Sequence, residues 1–106
     1  MAKKSYYKLV RDRIPEIIEQ SGKTCVVSVL SDEEYLRKVD EKLNEELAEY
    51  RADGSIEELA DLMEVIYAAA KARGYTIEEL ETVRVNKAQR RGAFDKKILL
   101  KEVIDE

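Results

Sequence analysis

Three segments of the chain open with the same helix-start signal, a serine or threonine followed three positions later by a glutamate. In such a capping box the hydroxyl accepts a hydrogen bond from the glutamate's backbone N–H, and the glutamate carboxylate accepts one from the N–H of the serine or threonine. A glycine follows each segment, as is common after a helix. The predicted helices run from Ser31 to Arg51 or Ala52, from Ser55 to about Arg73, and from Thr76 to about Arg91, before Gly54, Gly74 and Gly92 respectively.

A shorter helix is predicted over residues 13–21. Asp12 is its expected N-cap, because a carboxylate oxygen accepts hydrogen bonds from the free N–H groups of a first turn. Pro15 suits that first turn, where its missing N–H has no intrahelical partner to lose. Gly22 follows the expected end of the helix.

Two apolar runs outside these helices favour extended structure. Residues 24–30, with the sequence TCVVSVL, are rich in β-branched side chains and too short for a helix with its own apolar face, so they are predicted to form a strand. The tail over residues 94–104 is ambiguous, and we expect its Ile98–Leu100 run to pair with that strand. The predicted fold is therefore mainly α, a helical bundle with a short β-strand pair, in one domain over residues 1–106.

Composition narrows the chemistry. The chain carries 19 Lys plus Arg and 23 Asp plus Glu, a net charge of −4, which does not favour binding to a nucleic acid polymer. No signal peptide or membrane-length apolar run is recognised, and Cys25 is the only cysteine, so we expect a cytoplasmic protein without a membrane partner. Histidine is absent, which excludes Ser-His and Cys-His nucleophiles. Acid–base chemistry must then use carboxylates, lysine, tyrosine or metal-bound water.

Two pairs of carboxylates stand out on consecutive predicted helices: Glu46 with Glu49, and Glu58 with Asp61. Their i, i+3 spacing places both members of a pair on one face of a helix. Across a helical hairpin, two such charges about 5 Å apart would repel by roughly 3 kcal/mol at an effective dielectric of about 20. A divalent cation would relieve that repulsion, and an all-oxygen ligand set favours Mg²⁺, Mn²⁺ or Ca²⁺ over zinc.

Positions on the helical wheel separate these acids from others nearby. At about 100° per residue, Glu46 lies about 60° from the centre of its helix's apolar stripe and Glu49 about 120°. Glu45 is almost opposite that stripe and is expected to be solvated. Glu58 and Asp61 continue an apolar stripe of the next helix, which is predicted to pack on two sides.

A purely structural explanation stays open for both pairs. In a chain with 23 acids, pairs at this spacing also arise by chance on solvated faces. Glu58 has a capping role available as the last residue of its capping box. The acids are therefore interpreted either as a site for a hard metal ion or as an acidic surface.

The last predicted helix carries cations beside its apolar side. Arg84, Lys87 and Arg91 lie near the face defined by Leu80 and Val83. One interpretation is that the long side chains cover apolar surface while their charged ends reach water or pair with acids. The other is a set of cations that binds the phosphates of a substrate. Both interpretations stay open at this point.

Four motifs together resemble a known superfamily. Lys42-Leu-x-Glu45-Glu46-x-x-Glu49 and Glu58-Leu-Ala-Asp61-Leu-x-Glu-Val-Ile66 are similar to the E-x-x-E and E-x-x-D signature of the all-α nucleoside triphosphate pyrophosphatases. Tyr7-Lys-Leu-Val-Arg-Asp12-x-Ile-Pro15 and Asn86-Lys87-x-x-x-Arg91-Gly92-x-Phe94 resemble the small subgroup that is MazG-like and phosphoribosyl-ATP pyrophosphohydrolase-like. The resemblance covers residues 6 to 95, most of the chain.

This resemblance implies a Mg²⁺-dependent hydrolase, with Mn²⁺ as an alternative ion. It would cleave a nucleotide between the α- and β-phosphates to give a monophosphate and pyrophosphate, in nucleotide house-cleaning, and would act as a homodimer or homotetramer. One of Glu46 and Glu49 would also help to activate water, without an assignment between them. By the same resemblance Glu46, Glu49, Glu58 and Asp61 would hold the metal, and Lys87, Arg91, Lys8 and Arg11 would bind phosphates.

Two departures from the family pattern affect substrate assignment more than reaction type. Only eight residues separate Glu49 from Glu58, fewer than is usual, so the link between the helices is short. Ala93 stands where a second glycine is common. Two alternatives remain: phosphoribosyl-ATP hydrolysis in histidine biosynthesis, and a non-catalytic helical module that binds a nucleotide or a partner.

Overall fold

The computed structural model describes residues 2–105 and contains four helices in that range. No strand is present among these residues, so the mainly α prediction is confirmed. The helices are α1 over Ile14–Gln20, α2 over Asp32–Asp53, α3 over Ile56–Ala72 and α4 over Ile77–Arg91.

The N-terminal caps explain why three of these helices begin where the sequence indicates. Ser31 and Thr76 form complete capping boxes at the starts of α2 and α4. Ser55 caps α3 by accepting a hydrogen bond from the backbone N–H of Glu58 at 3.3 Å. The reciprocal bond from the Ser55 N–H to the Glu58 carboxylate is absent, so the capping-box prediction is only half right at this helix. The Glu58 carboxylate therefore has no part in capping.

A two-residue link joins α2 to α3. Gly54 adopts the left-handed conformation with φ +67°, which glycine reaches without the steric penalty of a Cβ atom. Its N–H donates to the carbonyl of Tyr50 at 2.7 Å and closes the last turn of α2. The chain then reverses at once into the Ser55 cap.

The start of α1 corrects one prediction. Its N-cap is Arg13, not Asp12, and no side chain there accepts a hydrogen bond from the first turn. A backbone hydrogen bond from the Ile14 N–H to the Arg11 carbonyl, at 3.1 Å, forms a turn ahead of the helix. This turn places Asp12 one residue too early to cap α1.

The predicted strand pair does not form. Residues 24–30 carry no regular secondary structure, and Val26 and Val29 are fully exposed. The tail after Phe94 is also irregular, with Ile98–Leu100 exposed. β-branched composition favours a strand only where a neighbouring strand pairs with its backbone and a core covers one face, and within residues 2–105 neither segment has such a partner.

Helices α2 and α3 pack against each other as a hairpin. Val39 of α2 is completely buried, and the α3 face of Val65, Ala68 and Ala72 is half-buried. An ion pair of 3.6 Å between Arg73 Nη2 and Asp40 Oδ2 links the two helices far from the turn. The other predicted apolar stripe of α3 is only partly buried, because Leu62 and Tyr67 are half-buried whereas Leu59, Met63 and Ile66 are exposed. With the exposed Ile56, the last three form what we call the exposed stripe of α3.

The chain forms two compact units, one up to Tyr75 and a second from Thr76. The first contains α1 and the α2–α3 hairpin, and the second contains α4 and the tail. The prediction of a single domain is neither confirmed nor contradicted by this division. Among the described residues, no helix combines the length and the apolar character needed to cross a membrane.

Candidate metal centre

The α2–α3 hairpin brings the four predicted carboxylates into one acidic cluster. Glu46, Glu58 and Asp61 each offer an oxygen within 4.8 Å of the others, and Glu45, Glu46 and Glu49 form a second such group. Glu46 belongs to both groups. The cluster therefore spans two turns of α2 and the first turns of α3, centred on Glu46.

Glu46 is the most unusual of these acids, because its side chain is buried. The residue is only 6% exposed. Its Oε1 lies 3.4 Å from the Nζ of Lys42, whereas its Oε2 is buried without a hydrogen-bond partner in the chain. A buried carboxylate oxygen without a partner loses its hydration and gains nothing in exchange. This oxygen is one to which an added cation could bind.

Glu58 presents a second buried oxygen without a partner, again its Oε2. In α2 and α4 the equivalent glutamates, Glu34 and Glu79, turn back to accept the N–H of their cap residue. Glu58 instead lies with the acids of the cluster. The structural explanation for Glu58, that its carboxylate completes a capping box, is therefore wrong.

The electrostatics of the cluster favour protonation of its buried members in the absence of a cation. Burial raises the pKa of Glu46 above the usual 4.5, and the nearby carboxylate of Glu49 raises it further, although Lys42 opposes this. Burial also raises the pKa of Glu58, and the charges of Glu49 and Asp61 act in the same direction. These shifts express the free-energy cost of holding several carboxylates together.

Cations from the N-terminal segment offset part of this negative charge. The Nζ of Lys8 lies 3.0 Å from Glu45 Oε1, and the Nη2 of Arg11 lies 2.7 Å from Asp61 Oδ1. The hydrogen bond between Lys8 and Glu45 raises the pKa of the lysine and lowers that of the glutamate. Lys8 and Arg11 were predicted as phosphate ligands. Without a substrate, both are paired with acids of the chain itself.

The exposure of Glu45 differs from the one predicted. It was expected to be solvated, but it is half-buried and bonded to both Lys8 and Lys42. The wheel of α2 placed it opposite the apolar stripe, and the N-terminal segment lies over that side of the helix. Glu45 is half-buried because Lys8, which lies 37 positions earlier in the chain, contacts it. The periodicity of α2 cannot predict a contact with a segment outside the helix.

Lys42 belongs to the site although no role was predicted for it from the sequence. Its Nζ lies 3.3 Å from Glu45 Oε2 and 3.4 Å from Glu46 Oε1, and its side chain is only 16% exposed. The signal was available, because i, i+3 and i, i+4 neighbours on a helix meet on its surface. Lys42 therefore fixes one oxygen of Glu46 and leaves the other without a partner.

The remaining predicted phosphate ligands lie in the second unit. Lys87 and Arg91 are exposed and four residues apart, so they share one face of α4. Arg84, on the same helix, pairs with Glu81, with its Nε 3.0 Å from Glu81 Oε2. The structural interpretation expected the charged end of Arg84 to reach water or to pair with an acid, and the acid it pairs with is one of its own helix.

The donor set of the cluster suits a hard divalent cation. The donor atoms that the cluster offers are all carboxylate oxygens. Two of these oxygens, Glu46 Oε2 and Glu58 Oε2, are buried without a hydrogen-bond partner. Carboxylate oxygens together with water are the usual ligands of Mg²⁺ and Mn²⁺ in proteins, whereas zinc sites usually include histidine or cysteine. The residues present could therefore hold Mg²⁺ at Glu46, Glu58 and Asp61, with Glu49 adjacent.

Comparison with known proteins finds a relative of part of the chain and no matching family model. No protein-family model matches the chain, and no solved structure matches it significantly. A relative from Mycolicibacterium smegmatis, described as an uncharacterized protein, is 60% identical over 45 residues. The matching stretch is 42% of this chain and 46% of the relative, so the similarity spans less than half the length of either protein.

Proposed function

We propose that the protein is a Mg²⁺-dependent nucleotide pyrophosphohydrolase that cleaves between the α- and β-phosphates and releases a monophosphate and pyrophosphate. The observation that carries this proposal is Glu46, a buried acid with an unpartnered oxygen at the centre of a cluster of carboxylates. A cluster that served only as acidic surface would keep its charges in water, where they cost little.

Within the cluster we assign different roles to the acids. Glu46, Glu58 and Asp61 would hold the metal, because each offers an oxygen to the same point. Glu49 is the exposed member and lies close to Glu46, so it is the better placed of the two candidates to orient a water molecule that arrives from solvent. When bound, Mg²⁺ would supply charge that offsets the negative phosphate oxygens.

The cations supply the remaining part of the proposal. A nucleoside triphosphate carries several negative charges on its phosphate oxygens. Lys and Arg side chains bind these oxygens through charge-assisted hydrogen bonds. Lys8 and Arg11 already lie beside the cluster. Lys87 and Arg91, which lie in the second unit, stay proposed phosphate ligands on the resemblance alone.

The proposal is tested by incubating the purified protein with a panel of nucleoside triphosphates and phosphoribosyl-ATP, each with Mg²⁺ or Mn²⁺. We expect a monophosphate and pyrophosphate in equal amounts. Release of orthophosphate would refute cleavage between the α- and β-phosphates. A strong preference for phosphoribosyl-ATP would identify the alternative activity in histidine biosynthesis.

Variants of single charges test the assignment of residues. Glu49→Gln should reduce turnover by at least about a hundredfold, the scale that general-base catalysis contributes. Asp61→Asn should also reduce turnover, because a proposed metal ligand loses its charge. Glu64→Gln is the matched control, because Glu64 is an exposed acid of α3 outside both carboxylate groups. Equal activity in all three variants would contradict the site.

A second candidate is a non-catalytic helical module, and one observation favours it. Lys8, Arg11 and Lys42 already pair with acids of the cluster, so part of the negative charge is balanced without any added ion. In that case Mg²⁺ would neither bind in calorimetry nor raise the melting temperature. The nucleotide panel would then show no turnover with any ion.

We further expect a homo-oligomer and a cytoplasmic location. The exposed stripe of α3, from Ile56 to Ile66, supports the first expectation, because apolar side chains at helical spacing favour burial against another surface. The single cysteine supports the second.

A further inference from the structure

The segment of residues 7–11, which we call the N-terminal arm, is attached to the acidic hairpin at three points. The carbonyl of Tyr7 accepts a hydrogen bond from Lys38 Nζ at 3.2 Å. Lys8 pairs with Glu45 at 3.0 Å, and Arg11 pairs with Asp61 at 2.7 Å. The arm therefore contacts α2 through its first residues and α3 through its last.

The last of these contacts involves one of the proposed metal ligands. Asp61 offers an oxygen to the group formed with Glu46 and Glu58, and the guanidinium of Arg11 already donates to its Oδ1. A carboxylate oxygen that accepts a guanidinium N–H has less electron density to give to a cation. A divalent cation and a guanidinium on the same carboxylate also repel each other.

Exposure indicates which attachments can be released. The side chains of Arg11 and Asp61 are 57% and 42% exposed, so their pair is weakened by solvent and easily exchanged. Lys42, by contrast, is mostly buried beside Glu46. Of the cations that balance the cluster, Arg11 is thus one that can leave without exposing a buried charge.

The backbone of the arm shows that its attached conformation is not its relaxed one. Tyr7 has φ +47°, in the left-handed region that a bulky side chain rarely adopts. Its ring is exposed, so burial of the side chain does not account for this conformation. The contacts of Tyr7, Lys8 and Arg11 with the hairpin hold it, and losing one of them favours release of the arm.

We propose that the N-terminal arm is a latch operated by a divalent cation: Arg11 holds Asp61 in the metal-free protein, and a cation bound at the cluster displaces Arg11 from Asp61, which loosens the arm and leaves the guanidinium available to a substrate phosphate. This inference rests on the metal site of the proposed function. It adds that the same arginine competes with the ion, and that ion binding is coupled to the order of the arm.

The competition is tested by calorimetric titration of Mg²⁺ into the full-length wild-type, Arg11→Gln and Arg13→Gln proteins. Removing the competing charge should tighten Mg²⁺ binding by about two- to fivefold, which corresponds to an exposed ion pair of about 0.5–1 kcal/mol at about 1.4 kcal/mol per tenfold. Arg13→Gln is the matched control, because Arg13 pairs with Glu16 of its own helix. Its affinity should equal that of the wild type.

The release of the arm is tested by the rate of tryptic cleavage after Lys8, with EDTA or with Mg²⁺, because Lys8 is held by Glu45 in the attached arm. Saturating Mg²⁺ should speed this cleavage in the wild type. Asp61→Ala removes both oxygens that can accept from Arg11, so its arm should be cleaved fast already without the ion. Neither measurement depends on nucleotide turnover.

The outcomes separate the latch from the metal site. Tighter binding by Arg11→Gln together with faster cleavage of the arm in Mg²⁺ supports the latch, as does binding by Arg11→Gln when the wild type binds no ion. Equal affinities in the three proteins, or a cleavage rate of the arm that does not change with Mg²⁺, overturn the latch and leave the metal site standing. If neither the wild type nor Arg11→Gln binds Mg²⁺, both inferences are overturned.

Discussion

Lys42 Nζ lies 3.4 Å from one carboxylate oxygen of Glu46, while the other oxygen of that carboxylate is buried without a partner. One lysine thus stabilises a buried acid on one side only. Glu49, Glu58 and Asp61 surround the acid with further negative charge. Lys42 therefore offsets only part of the repulsion between Glu46 and the surrounding carboxylates. The rest remains in the folded chain when no cation is added.

Lys42→Met should destabilise the metal-free protein. The change removes the cation beside Glu46 and leaves a buried carboxylate unpaired, which costs about 1–3 kcal/mol. Urea denaturation in EDTA measures the loss, and Lys71→Met, an exposed lysine of α3, should change the unfolding free energy little. If both variants lose the same stability, the pair of Lys42 and Glu46 does not stabilise the fold.

Glu46→Gln should act in the opposite direction without metal. It removes a charge from a crowded, buried position and should raise the unfolding free energy by about 1 kcal/mol. The same change should abolish the stabilisation by Mg²⁺, which for a wild type that binds the ion at this site would amount to about 2.7 kcal/mol at a hundred times the Kd. Melting curves with and without Mg²⁺ measure both effects. A variant that is destabilised in EDTA and still stabilised by Mg²⁺ would contradict the role given to Glu46.

The pH dependence of stability should show two opposite effects. The pKa values of Glu46 and Glu58 are raised by burial, so the folded chain binds protons at a higher pH than the unfolded chain, and stability should increase as pH falls from 7 toward 4.5. The pKa of Glu45 is lowered by the hydrogen bond from Lys8, so its contribution is present above 4.5 and is lost as pH falls below that value.

Denaturation between pH 3 and 7.5 in EDTA should therefore give a maximum of stability on the acidic side of neutrality. Saturating Mg²⁺ should shift this maximum toward neutral pH, because protons compete with the ion for the same carboxylates. A steady loss of stability on acidification from pH 7 in EDTA would contradict the raised pKa values.

Gly54→Ala should destabilise the hairpin by roughly 1 kcal/mol, since alanine is strained at φ +67°. Apart from Gly54 and its two chain neighbours, nothing lies within 4 Å of the position a Cβ would take, so the cost is one of backbone conformation rather than of a clash. Gly54→Asn is the matched variant, because asparagine adopts this conformation more readily. Thermal melts should rank the wild type first, asparagine second and alanine third.

Met63→Lys tests the proposed oligomer. Met63 is 51% exposed in the centre of the α3 stripe, where a second copy would bury it. Light scattering should show a smaller species for this variant than for the wild type. Glu64→Lys changes charge at the neighbouring exposed position and should leave the mass unchanged. Light scattering that gives the mass of a monomer for the wild type would contradict the proposed oligomer.

The helices were predictable because their signals are local. Capping residues and glycines lie within a few positions of the ends that they specify, so α2, α3 and α4 begin and end within one or two residues of the prediction. The grouping of Glu46, Glu49, Glu58 and Asp61 followed from helical spacing and a short link. Helical periodicity was sufficient for this part of the site.

Two of the errors share a physical cause, since each depended on contacts between distant parts of the chain. The strand over residues 24–30 needed a partner strand that its own composition cannot specify. The position of Glu45 depended on the N-terminal arm, which carries Lys8 to it from 37 residues away. In both cases local periodicity was consistent with more than one environment.

The proposed ligands lie close together in the sequence, and this affects the rate at which the hairpin folds. All four proposed ligands fall within residues 46–61, on two helices joined by Gly54 and Ser55, so they meet as soon as the hairpin closes. Closing so short a loop costs little chain entropy, which favours early formation in folding. Like charges then oppose the first tertiary contact of the chain. An ion in solution would thus change how fast the hairpin closes as well as how long it stays closed.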